Sequence, residues 1–258
     1  MSEGVFAGKG IVILGGTAGV GLETAVRFSQ EDARVVLIGR NDERGEKACA
    51  AVRARNGRAD VTFVRADAIL TGEAVRAAAE AESILGAIDV LMCTTGPSEP
   101  PRLLHNIPIE NVRPRIEEIM LPPLHMMHAV LPMMRARKSG AIVNVASDAA
   151  KFATPGETLI GAAMAAIVMF SRAAAVEAKR DGVRINMLTP SLIDGTPGAR
   201  LIGADPFASK MFEKATGLAH LGLPDAADLA DAALFLAGPH ARRMTGQALS
   251  VNGGISVG

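Results

Sequence analysis

A glycine-studded turn, Gly15-Gly16-Thr17-Ala18-Gly19-Val20-Gly21, sits between a short apolar run at residues 10–14 and a helical pattern at residues 19–30. It constrains the fold because each key glycine meets a backbone requirement. Gly15 permits the tight turn, Gly19 lets the backbone approach a pyrophosphate, and Gly21 lets helix pack closely on strand. Exposed N–H groups at the helix start, with the positive end of its dipole, make an anion site. Glycines also occur in such turns for conformational reasons alone, so a purely structural turn is the competing reading. A strand before and a helix after are the context that phosphate binding requires. On that reading Gly15, Thr17, Ala18, Gly19, Val20 and Gly21 are candidate contacts of a dinucleotide.

The alternation continues. Apolar runs at residues 34–38, 61–65, 89–93, 141–147, 183–188 and 248–251 are separated by helical patterns at 42–55, 73–85, about 111–137, 159–179, 206–216 and 225–236. Strands alternating with helices predict βαβ units, hence an α/β, doubly wound, mostly parallel sheet of seven strands with helices on both faces. Asn41 or Asp42 can cap the helix at 42–55. Pro122-Pro123 should bend or break the helix at 111–137 midway. Residues 96–108 are Pro-rich and read as loop. Residues 190–206, rich in Pro and Gly, read as the longest loop and a mobile lid. No repeat or linker divides the chain, so residues 1–258 read as one domain.

Composition removes several classes of partner. Formal net charge is zero and aromatics are 3%, which leaves neither a basic face nor a stacking platform for nucleic acid. Met1 to Lys9 has no apolar core to make a signal peptide, and no uninterrupted apolar run reaches the ~20 residues of a membrane span. Cys49 and Cys93 have no metal-site spacing, and a large core needs no disulfide. The expectation is a cytoplasmic protein with no metal, no membrane and no nucleic acid, acting on a small molecule.

In order and at the right intervals, the motifs resemble the short-chain dehydrogenase/reductase family over nearly the whole chain. The opening turn is similar to its Gly-x-x-x-Gly-x-Gly. Leu221-Gly222-Leu223-Pro224, Thr245-Gly246-Gln247 and Val251-Asn252-Gly253-Gly254 match its C-terminal pattern. The resemblance implies a Rossmann-like fold, a nicotinamide cofactor and a homo-oligomer, a dimer or tetramer. It places Asp67 and Ala68 beside the adenine, Thr95 and Gly96 in the cofactor site, and Pro190 and Ile193 beside the nicotinamide. At the end of the second strand Gly39 stands where an acid would bind the ribose of NAD, followed by Arg40-Asn41. An Arg here suits a 2′-phosphate, so NADP(H) is preferred over NAD(H), a surface Arg being the plainer alternative.

The same resemblance implies a catalytic Ser, Tyr, Lys and Asn, and here it departs. Ser147 is present. Ile160 stands in the Tyr place and Met164 in the Lys place, while the Asn place falls near Ile119-Met120. The chain contains no tyrosine, so no shift of alignment restores the phenol. Acid–base assistance worth ~10²–10⁴-fold is missing from those positions. Ser147 remains the candidate catalytic side chain, as a hydrogen-bond donor. Asp148, Lys151 and Glu157 read as solvated loop charges or helix-start residues, His125 and His128 as packed or interfacial, and Cys93 as a buried hydrophobe. Ile160, Met164 and Met120 would form a dry floor, suited to an acceptor already activated, such as an iminium or a conjugated system. The leading expectation is therefore an NADP(H)-dependent oxidoreductase with an atypical site. The alternatives are an inactive NADP(H)-binding pseudo-enzyme or subunit, and a non-redox lyase or isomerase.

Overall fold

A computed structural model describes residues 4–257; residues 1–3, part of the stretch read for a signal peptide, and Gly258 lie outside it. Seven strands, β1 (Gly10–Leu14), β2 (Arg34–Gly39), β3 (Asp60–Arg65), β4 (Val90–Cys93), β5 (Gly140–Val145), β6 (Val183–Leu188) and β7 (Ala248–Leu249), form one sheet. Its order is β3-β2-β1-β4-β5-β6-β7, and every pairing is parallel. β1 and β4 are buried throughout, because helices cover both faces and leave no side of a central strand to water.

The helices are α1 (Gly19–Gln30), α2 (Asp42–Arg55), α3 (Thr71–Leu85), α4 (Ile109–Arg137), α5 (Thr158–Ala178), α6 (Pro197–Ala204), α7 (Pro206–Thr216) and α8 (Ala226–Ala237). One core layer packs β1, β2 and β4 under α3 and α4, through residues such as Leu91, Ala77 and Met126. The other packs the opposite face under α1 and α8, through Phe28, Leu37 and Leu229. Chain order reverses between β1 and β4, and a doubly wound sheet opens its ligand crevice at the carboxyl ends of the strands beside such a switch point.

Four expectations need correction. α4 is not broken at Pro122 and Pro123, both buried, and continues through them to Arg137. Each proline removes one i→i−4 bond, and packing of the two rings against the core outweighs that loss. The segment at 190–206 is not one loop. Thr196 caps α6 by accepting from the Ala199 N–H at 3.2 Å, with Pro197 in the first turn, a Thr-Pro start concealed by the surrounding glycines. β5 stops at Val145, because Ser147 instead caps a 3₁₀ turn, Asp148–Ala150. β7 likewise ends at Leu249, and the next residue, Ser250, bonds to Lys151.

α5 is long and apolar enough, at a mean hydropathy of 1.9, to cross a membrane by length and composition. Here it is the crossover between β5 and β6, with Ala163, Ile167 and Val168 buried against Met187 of the sheet.

Candidate functional site

Two cavities of about 220 and 360 Å³ open at the carboxyl ends of the strands. Both are lined by Gly15, Thr95 and Gly96, so they form one groove across the ends of β1 and β4.

The first cavity gathers Thr17, Arg40, Asn41, Asp67 and Ala68. Asn41 caps α2, its side chain accepting from the Arg44 N–H at 2.9 Å. Asp67 turns one carboxylate oxygen back to its own loop, accepting from Ile69 N–H at 3.1 Å. Arg40 and Arg44 are exposed, and neither joins an ion pair among the described residues. Arg44 was not foreseen. Its signal was available, because a residue one turn into the helix behind Arg40 stands on the same side of the cavity. The Thr95 hydroxyl is buried without a partner among the described residues, at the junction of the two cavities.

Ala18, Gly19 and Val20 line the second cavity with Ser147, Ile160, Met164, Pro190 and Ile193. Ala18 caps α1 with no side-chain bond, and the first turn holds no acid, so its positive end is uncompensated and faces the groove. Gly19 has φ +52, and a Cβ there would come within 3.2 Å of the Pro197 ring. Gly21 lines neither cavity. A Cβ on it would stand 2.5 Å from the Gly15 carbonyl oxygen, so its role is the close approach of helix to turn.

Ser147 Oγ accepts from the Ala149 N–H at 3.1 Å and keeps its own proton for donation into the cavity it lines. Ile160 and Met164 supply apolar wall; Met120 packs in the cluster behind them and lines neither cavity. The apolar floor is therefore smaller than the sequence suggested.

Two loop charges behave differently from the sequence reading. Asp148 is buried, not solvated. Its Oδ2 accepts from Asn252 Nδ2 at 2.5 Å and from Ser256 Oγ at 2.8 Å, and Lys151 lies 3.8 Å from Oδ1. Glu157 starts α5, as expected, but is partly buried and lines the second cavity beside Ile160. Burial pushes its carboxyl up to about 7; a Thr154 hydrogen bond opposes the rise and the nearby Asp148 charge adds to it. His125 is packed, its Nδ1 2.9 Å from the Ala68 carbonyl, and His128 is exposed on α4. Cys93 is a buried free thiol raised by burial, the opposite of an activated nucleophile. Among the described residues no group of three or more His, Cys, Asp or Glu could hold a metal ion.

Such a groove fits a dinucleotide. The open helix start and the unpartnered Thr95 hydroxyl offer donors, and free guanidinium groups stand at one end. Residues 15–256 match the family model described as enoyl-(acyl carrier protein) reductase. The chain is 32% identical over 253 residues to a 2,5-dichloro-2,5-cyclohexadiene-1,4-diol dehydrogenase of Sphingobium indicum, covering 98% of each chain. It is 30% identical over 258 residues to a 3-oxoacyl-[acyl-carrier-protein] reductase of Chlamydia trachomatis, covering 98% of this chain and 100% of that one. The chain belongs to the short-chain dehydrogenase/reductase family. Levodione reductase superposes with a TM-score of 0.91 at 25% identity, over 96% of this chain and 98% of that one. Another short-chain dehydrogenase/reductase family protein superposes at 0.83 with 30% identity over 98% of both. The chain is thus of the short-chain oxidoreductase type, a family whose members generally bind NAD(P)(H) and act on small molecules.

Proposed function

We propose that the chain is an NADP(H)-dependent oxidoreductase of small, largely apolar carbonyl or hydroxyl compounds, working without the family's Tyr and Lys. The observation that carries the cofactor preference is the nucleotide end of the groove. Arg40 and Arg44 line it with no ion-pair partner among the described residues, and Gly39 leaves the strand end without a carboxylate. A 2′-phosphate gains charge-assisted bonds there, and a bare ribose does not. When bound, the nicotinamide supplies or accepts hydride. The chain's own part is to hold the diphosphate on the N–H groups around Ala18 to Val20 and the substrate oxygen on Ser147.

The second cavity supports the substrate class. Its lining includes Glu99 and Glu157 but no Lys, Arg or His, which disfavours an anionic substrate. Leu192, Leu201, Ile202 and Phe212 give it apolar walls, suited to a ring such as the diol of the Sphingobium enzyme. The two buried free thiols suit a reducing cytoplasm. Exposed Met169, Phe170 and Val176 on α5, beside a groove formed with Met127 and Leu131 of α4, suit a homodimer or homotetramer joined through these helices.

A fluorescence titration with NADPH and NADH tests the cofactor reading, and NADPH is expected to bind more tightly. Turnover of cyclic ketones or diols tests the reaction. Tight NADPH binding without any turnover would favour the pseudo-enzyme; product formed with no dinucleotide bound would favour a lyase or isomerase.

A further inference from the structure

Resting on that reading and going beyond it, we propose that Glu157 is the proton donor and acceptor of this site, acting at the substrate oxygen in place of a phenol at position 160. Glu157 caps the start of α5 without a side-chain cap bond, and Ile160 and Met164 follow on the helix four residues apart, on one face. All three line the second cavity, as does Ser147 from the start of the 3₁₀ turn that follows β5. Glu157, three residues before Ile160 at the helix start, thus borders the same cavity as the residue at 160. One cavity thus holds both a hydroxyl able to fix the substrate oxygen and a group able to move a proton.

The charges around Glu157 leave it available. Glu99, the other carboxyl lining this cavity, is paired with Arg115 of α4. Glu118 of α4 accepts from Ser98, and Arg102 is 3.7 Å from Asp205 at the start of α7. Asp148 is held by Asn252, Ser256 and Lys151. Glu157 has no cationic partner among the described residues, and its side chain bonds to the neutral Thr154. Burial raises its carboxyl to about 7, near the pH at which a general acid–base group is most effective. In reduction, the carbonyl carbon accepts hydride from NADPH and its π pair moves to oxygen. The Glu157 O–H bond breaks, a substrate O–H bond forms, and the carboxylate regains a proton from water. Oxidation runs the same atoms in reverse.

The test uses the full chain with glutamate carboxyls labelled with ¹³C, as wild type, Glu157→Gln and Glu157→Asp. The Glu157 resonance, identified by its loss in Glu157→Gln, should titrate near pH 7. NADPH affinity, read by fluorescence, should be unchanged in both variants, which shows that the groove is intact. With NADPH and cyclohexanone or cyclohexenone, Glu157→Gln should lose ~10²–10⁴-fold in rate. It should also lose the wild-type decline of reduction as pH rises through about 7. Glu157→Asp should keep that limb at a lower rate. A resonance titrating in the ordinary carboxylate range overturns the proposal. So does a Glu157→Gln variant that keeps rate and limb, or an NADPH-bound wild type that reduces neither ketone. Failure of wild type to bind NADPH overturns instead the function on which the proposal rests, and the proposal with it.

Discussion

Nδ2 of Asn252 stands 2.5 Å from Oδ2 of Asp148, and this bond ties the C-terminal segment to the turn that follows Ser147. The Asp148 carboxylate is buried, and its Oδ1 has no hydrogen-bond partner among the described residues, so the bonds to Oδ2 carry most of its compensation for lost hydration. Asn252→Ala removes one of them while leaving the charge in place. The expected cost is ~1–3 kcal/mol, read from urea unfolding. An unfolding midpoint equal to that of the wild type would contradict the account of this turn.

Arg184 of β6 fastens the sheet to the end of α8, where its guanidinium points. It donates to the carbonyls of Leu236, Ala237, Gly238 and Ala241 at 2.6–3.2 Å. Those of Leu236 and Ala237 are orphan acceptors at the α8 C-terminus, Gly238 caps it, and Ala241 ends the 3₁₀ turn that follows. Arg184→Met should cost ~2–4 kcal/mol, because several carbonyls lose their donor together. NADPH affinity should stay the same, and a large fall in affinity without loss of stability would contradict this role.

Most of this architecture was legible because it depends on patterns that repeat. Apolar runs marked every strand to within a residue or two, and the bounds of α1, α2 and α7 were readable from Gly, Asn and Pro signals at their ends. The failures share one cause, which is that composition was read without its neighbours. Pro197 looked like a loop residue until Thr196 is seen as its cap, and Pro122-Pro123 looked like a break until their burial is known. Within the groove, Arg40 and the turn residues Gly15, Thr17, Ala18, Gly19 and Val20 line the cavities as the sequence suggests, because their backbone and charge roles are local, while Gly21 does not. Asp148 and Glu157 could not be placed in this way. What distinguishes them from surface charges is enclosure by Asn252 and Ser256 in one case, and by a cavity with walls from α5, α6 and the loop after β4 in the other.

The free arginines make a prediction about specificity. If they hold the 2′-phosphate, Arg40→Ala and Arg44→Ala should each weaken NADPH binding about tenfold and leave NADH binding unchanged, the size of one charge-assisted bond. NADPH binding should also fall as salt rises, because both groups are exposed. Gly39→Asp should move the preference toward NADH. The new Cβ would stand 3.2 Å from Thr17 Cγ2, a contact that a small shift of the threonine methyl relieves. Equal losses for both dinucleotides in the arginine variants would remove the case for NADP(H).

Glu157 also makes stability depend on pH, in a direction opposite to that of most carboxylates. Its folded value, about 7, lies above the ordinary 4.5. Between those values the folded protein holds a proton that the unfolded chain has released, so stability falls as pH rises. The contribution is full below about pH 4.5 and is lost once pH passes about 7. Partial exposure reduces its size to ~1–3 kcal/mol. Glu157→Gln has no proton to lose, so its stability should decline less than that of the wild type between pH 5 and 8, and at pH 8 it should be the more stable of the two. Paired denaturant titrations across that range measure the difference. Curves that stay parallel would mean that the carboxyl is ionised throughout, and that the cavity around it is wetter than its burial implies.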